Sequence, residues 1–418
     1  MKHSATRSRR QFLSAAAISG IGFFQNNLAW SGEKTPHSVA QPYARIDWEH
    51  SRQIGSVSHA HCRSQVSLDL LCRRQLKHLA ISNYYPSVPC RPDERSRQYE
   101  VSQDFAMVTG QGYQRGSFRW NEIIRDPNTG WYDSLPADLQ QALPFKVGSP
   151  CFSQIPADVI LCPNAEHHSM TDSSGHFNAV GSNFCSGTFD ARGKYKLHSH
   201  GYPIGTDMPW KEAFERMLDA LEVSDGGGVT LNHPKWSRLP HSHLLDLLDF
   251  DPRVLGIEIW NHTAEMLNGK GWSLDEWDAI LATGRRCWGL AVSDHAHNSD
   301  PGFMGRNVLL VNNDTDPQDL PAACLRAYRN GDYYCALNGD LEFRRIELDA
   351  GSIHVEVSEP CRLRIVTARG VVHEQSGTKC TWKLPIEAAA LQQHVYLRVE
   401  ADGVDNQERL FSQPFRLT

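Results

Sequence analysis

Two histidines one residue apart, His59-Ala60-His61, close the strand-like run of residues 54–58. On a strand, residues i and i+2 face the same side. The two imidazoles therefore stand side by side, as neutral histidines do when they grip one metal ion. Four more segments place ligand-type residues at or beside the end of a short apolar run. Residues 159–163 run into Asn164-Ala165-Glu166. Gly175-His176 opens the run 176–180. Residues 228–232 end in His233-Pro234, and residues 288–293 end in Asp294-His295-Ala296-His297. A nitrogen-and-oxygen set of this kind suits Zn, Mn or Fe better than Ca.

Other side chains lie near these segments. His198-Ser199-His200 falls in a Gly- and Lys-containing loop, from which His200 could touch substrate or donate a proton. Lys235 and Trp236 follow the His-Pro pair and are expected to face the cleft, Lys235 in a catalytic role. Asn261 ends the strand-like run 254–260 and is read as lining the site, with Glu258 inside that strand. Arg306 follows a loop and could meet an anionic group. The pair His241 and His243 reads as helix cap and surface. No G-x-S-x-G elbow is present and no Ser-His-Asp set can be identified, so a serine nucleophile is not supported. A metal-activated water is the expected nucleophile, with a nearby His returning the proton to the leaving group.

These residues need elements to hold them. Strand-like runs cover residues 55–58, 78–82, 159–162, 228–232, 254–260 and 287–293. Helical patterns cover 65–77, 210–224, 242–249, 273–283 and 316–331, the last with Asp316-Pro317 as start and Gly331 as stop. Strands alternating with helices predict an α/β domain with a largely parallel sheet. Ligands at the C-terminal strand ends then fit a barrel-type site. Residues 83–157 lack this rhythm and read as an insertion or lid. Beyond residue 343 short strands and turns predict a small antiparallel β domain, sandwich-like, over 343–418.

Taken together the motifs resemble the polymerase-and-histidinol-phosphatase (PHP) superfamily. Its opening H-x-H matches His59-Ala60-His61, its glutamate Glu166, and its Gly-His Gly175-His176. Its His-Pro matches His233-Pro234, and its closing D-x-H region matches residues 293–297. The resemblance covers residues 50–342. It is nearest the exported branch similar to carbaryl hydrolase, which also continues into a β domain, on Gly305-Arg306-Asn307-Val308 through Tyr333-Tyr334-Cys335-Ala336. It implies a distorted (β/α)7 TIM-like barrel with a His/Glu/Asp di- or trinuclear site. His59 and His61 would hold the first metal, and Glu166 would bridge to the second, completed by His176 and His233. The closing motif would add one ligand to the first metal and one to a third. If His297 is the family's last His, either Asp294 or His295 is the other ligand, a carboxylate being the family habit. The Asp-His pair often found after the second strand is replaced by Asn83-Tyr84, so two divalent ions are the expected cofactors.

The expected function is thus a metal-dependent hydrolase of a small-molecule ester, with a phosphoester favoured by the family's breadth. A carboxylic ester, carbamate or amide hydrolase is the alternative. A non-catalytic metal- or glycan-binding protein is the third reading. The composition is compatible with all three. The 418 residues are 40% hydrophobic and 22% charged, with 11 Trp, 12 Tyr and 16 Phe to bury. A net charge of −6 argues against binding nucleic acid through phosphates. Residues 1–31 carry Arg9-Arg10, an apolar run and Ala29-Trp30-Ser31, the layout of a twin-arginine export signal, with residues 32–49 as a lead-in. No membrane span is expected after its removal. The 11 cysteines form no C-x-x-C pair, and a Cys361–Cys380 disulfide is one reading of the C-terminal segment.

Overall fold

The computed structural model describes residues 41–62, 65–82, 100–101, 106–107, 116–117, 154–167, 170, 172–182, 184–185, 204–205, 209–295, 305–349, 351–385, 394–404 and 407–417. The expected export signal, His200, His297 and nearly all of the expected 83–157 insertion lie outside them. The chain opens with β1 (Ser51–Val57), the helix Gln65–Arg73 and β2 (Leu76–Ala80). Three two-residue strands follow, β3 (Glu100–Val101), β4 (Ala106–Met107) and β5 (Gly116–Ser117), before β6 (Ile160–Cys162). Next come β7 (Glu166–His167), β8 (His176–Val180), β9 (Phe184–Cys185) and β10 (Ile204–Gly205). The helix Trp210–Asp219 leads to β11 (Gly228–Asn232), and the helices Pro234–Ser237 and His241–Leu248 lead to β12 (Val254–Asn261). The helices His262–Asn268 and Leu274–Ala282 precede β13 (Trp288–Val292). The helix Leu320–Asn330 separates β14 (Gly305–Asn312) from β15 (Tyr333–Leu337). The C-terminal strands are β16 (Phe343–Leu348), β17 (Ser352–Thr367), β18 (Gly370–Lys383), β19 (Tyr396–Asp402), β20 (Arg409–Phe411) and β21 (Phe415–Arg416).

The pairing of these strands corrects the expected (β/α)7 barrel. Among the described residues there is no closed barrel, but two large mixed sheets. One has five strands in the order β13-β12-β11-β8-β7. The other has eleven and runs β16-β17-β19-β20-β15-β14-β1-β2-β6, with β18 and β21 alongside. A parallel barrel needs a crossover, usually helical, between every two neighbours. Here β7 and β8 pair antiparallel, β8 pairs antiparallel with β11, and β1, β14 and β15 form an antiparallel series. Within these two sheets, parallel pairing among the described strands survives only in β1-β2-β6 and β11-β12-β13. Strand direction cannot be read from a short apolar run, which is why the alternation of elements misled. The C-terminal strands continue the larger sheet through β15 and β20.

The strands β11, β12, β13 and β15 are buried along their whole length and read as mostly apolar runs. The helix Trp210–Asp219 buries Trp210, Ala213, Phe214, Met217 and Leu218, the spacing of one helical face, against the five-stranded sheet. Gly331, at φ 74°, ends the helix Leu320–Asn330 as expected. The start differs, because Asp316 Oδ1 accepts from the Gln318 amide in a turn and the helix begins only at Leu320. Cys361 and Cys380 are free thiols, facing Gly377 and Val355 across the β17–β18 ladder. All described residues belong to one unit, Val39–Thr418, and no helix among them is long and apolar enough to cross a membrane.

Candidate metal centre

The ends of β1, β2, β7, β8, β11, β12 and β13 converge on one buried cluster. Ala60 bridges to Asp294, with His61 N donating to Asp294 O and Asp294 N to His59 O. Ala60 also exchanges hydrogen bonds with Ser82, whose carbonyl accepts from Glu166 N. His59 and His61 flank Ala60 and project to one face, as their spacing requires. Asn164 and Asn178 both donate to the Ser58 carbonyl, which fixes the chain one residue before His59. Glu166 lies opposite Asn178, so His176, two residues along β8, is its diagonal neighbour on the same face. His233 and Asp294 turn the chain out of β11 and β13 at φ 27° and 56°, a backbone region that costs a non-glycine residue about 1–3 kcal/mol.

Four ligand atoms meet here. His59 Nε2 lies 3.3 Å from His61 Nε2, 3.4 Å from Asp294 Oδ1 and 3.5 Å from Glu166 Oε2. His61 Nε2 lies 3.0 Å from Glu166 Oε2 and 3.3 Å from Asp294 Oδ1. A tetrahedral ion about 2.0–2.1 Å from each ligand would space them about 3.3–3.4 Å apart. On its other side Glu166 Oε1 lies 2.8 Å from His176 Nδ1 and 3.3 Å from His233 Nε2. The buried groups His59/His61/Asp294 and His59/Glu166/His233, their ligand atoms within 4.8 Å of one another, could hold a metal ion.

The electrostatics agree with that. Burial alone would push the Glu166 and Asp294 carboxyls up. His59 and His176 beside Glu166, and His59 and His295 beside Asp294, hold both well below the usual carboxylate range. Burial would lower His59, yet Asp294, Glu258 and Glu166 carry it well above the usual imidazole value. Three buried carboxylates at one point need positive charge to offset their desolvation. A divalent cation bound among them would supply it.

The remaining sequence candidates are placed as follows. His295 stacks face to face on His61, with ring centroids 3.8 Å apart, and is a quarter exposed, so Asp294 rather than His295 sits among the four atoms. Trp236 stands edge-on to His176 and His233 at 5.4 and 5.0 Å. Asn261 is fully buried and donates to Glu258 and Asp294. Lys235 is not in the cluster but pairs with Asp275 at the surface, 3.0 Å away. Arg306 donates to the Asn338 and Gly339 carbonyls, in a cavity shared with Arg73 and Arg74. Sequence reasoning missed the part played by Glu258, which accepts from His59 Nδ1 at 2.6 Å and from the His233 amide at 2.7 Å. Its signal was a carboxylate in the middle of an otherwise apolar run, Gly-Ile-Glu-Ile-Trp.

No protein-family model matches the chain, and no curated protein matches it either.

Proposed function

We propose that this protein is a metal-dependent hydrolase of an ester-type bond, with Glu166 shared between two metal positions. The observation that carries this reading is the buried pair His59 and His61, whose Nε2 atoms lie 3.3 Å apart and each 3.0–3.5 Å from both Glu166 Oε2 and Asp294 Oδ1. When bound, divalent ions would lower the pKa of a water and draw charge from the scissile group. The chain's own residues do the rest. His59, His61 and Asp294 hold one position, and His176 and His233 the other. His295, the most exposed of the described site imidazoles, is placed to return a proton to a leaving group. The likeness of the ligand set to the PHP superfamily supports a phosphoester substrate.

A specific observation favours a second substrate class. Among the described residues, Arg306 and Lys235 are committed elsewhere, whereas the Trp236 ring packs T-shaped against His176 and His233. That wall suits an uncharged carboxylic ester, carbamate or amide. The test reconstitutes the full chain with Zn, Mn or Fe and assays nitrophenyl phosphates against nitrophenyl acetate and an aryl methylcarbamate. Metal-dependent turnover of one class, lost at least ~100-fold in Glu166→Gln, is expected. Absence of turnover on every class would refute the hydrolase reading.

A further inference from the structure

We infer that Glu258 and Asn261 form one brace shared by both candidate metal positions, so that a single buried carboxylate that binds no metal sets the affinity of both. The inference rests on the metal-binding reading above. Glu258 lies in the middle of β12 and is buried to 1% exposure. Its Oε2 accepts from two donors whose roles are fixed. The His233 amide can only donate, at 2.7 Å, and the Asn261 amide nitrogen lies at 2.8 Å. Asn261 cannot turn its oxygen toward Glu258, because that Oδ1 accepts from Ala264 N at 2.8 Å and caps the helix His262–Asn268. With Oε2 filled, Oε1 receives Nδ1–H of His59 at 2.6 Å. When a bound cation takes the place of the proton on Nε2, this hydrogen bond fixes the neutral tautomer of His59 and leaves the Nε2 lone pair aimed at the cluster.

The brace reaches further. The same Asn261 nitrogen lies 3.2 Å from Asp294 Oδ2. Glu258 and Asn261 thus touch His59 and Asp294 on one position and His233 on the other. In a regular strand residues i and i+3 face opposite sides. The β12–β13 register slips between Glu258 and Trp260, and this bulge brings Asn261 round to the Glu258 face. Glutamine at 258 could not reproduce the arrangement. It offers one acceptor and one donor where three donors converge, so its NH2 must oppose one of them.

Cobalt(II) titration of the chelator-stripped full chain, read by its d–d absorption, tests the brace. Near-UV circular dichroism and thermal unfolding of the apoprotein report folding. Glu258→Gln should weaken both equivalents by about 10–100-fold and alter the d–d bands, because the His59 tautomer is no longer held. Asn261→Ser keeps a capping oxygen but loses the amide donor, and should weaken both equivalents about tenfold. His176→Ala, outside the brace, should weaken one. Unchanged affinity and spectrum in Glu258→Gln, or loss of one equivalent only, would overturn the brace. Should that variant fail to fold, Asn261→Ser decides by the same criterion. Failure of the wild type to bind cobalt would instead overturn the metal reading beneath it.

Discussion

His59 and His78 are both buried imidazoles, and their surroundings drive them in opposite directions. Around His59 three carboxylates outweigh burial and favour the proton. His78 has no carboxylate partner among the described residues: it bonds Ser56 Oγ at 2.8 Å beside the Tyr328 ring, so burial pulls it down to about 4. Because the folded value lies below the ordinary 6.5, the unfolded chain takes up the proton first as pH falls. The stability His78 contributes is therefore complete above about pH 6.5 and is lost progressively toward pH 4, by on the order of a few kcal/mol. Asp332 acts with the opposite sign. Burial raises it to about 6, so acidification below that value relieves it. We expect the apoprotein's melting temperature to fall between pH 6.5 and 5, and to fall less steeply in His78→Asn. Equal slopes in the two proteins would remove His78 from the account. Which histidines matter was legible where spacing alone fixes geometry, as in His59-Ala60-His61. It was not legible for His78, because the same residue type in a strand gives no sign of its neighbours.

At the scale of elements, β12 carries the most consequence. A Cβ on Gly256 would lie inside contact distance of the Trp288 carbonyl oxygen on β13. That close approach sets the position of Glu258 two residues later. Gly256→Ala should force the strands apart and destabilise the protein by about 1–3 kcal/mol. Cobalt affinity should fall with it, although no ligand is altered. Unchanged stability by denaturant unfolding would contradict this. Several elements could be placed from sequence, including residues 228–232, which match β11, and the helical pattern from residue 210, which opens the helix Trp210–Asp219. Their directions could not be. The antiparallel β8, β14 and β15 look, as short runs, like any parallel strand. The bulge at Glu258–Trp260 leaves no mark in composition at all.

Over the whole molecule, the cluster joins residues as far apart as His59 and Asp294, drawn from strands of both large sheets. The two sheets meet at the Ala60–Asp294 bridge and at Glu166 N to Ser82 O, beside the ligands themselves. A cation held there would stabilise the folded chain, since the unfolded chain has no such site. The candidate ligands could be assembled from sequence because each sits at or beside a strand end, where backbone geometry leaves a side chain little choice. The sheet order could not, because it depends on which edges meet after the turns. The account's central claim is that this convergence is a metal centre. The most direct test is elemental mass spectrometry of protein purified without chelator, comparing wild type with the doubly substituted His59→Ala/His61→Ala chain. The account predicts about two equivalents of Zn, Mn or Fe in the wild type, falling in the variant. Wild-type protein with no bound transition metal would contradict it.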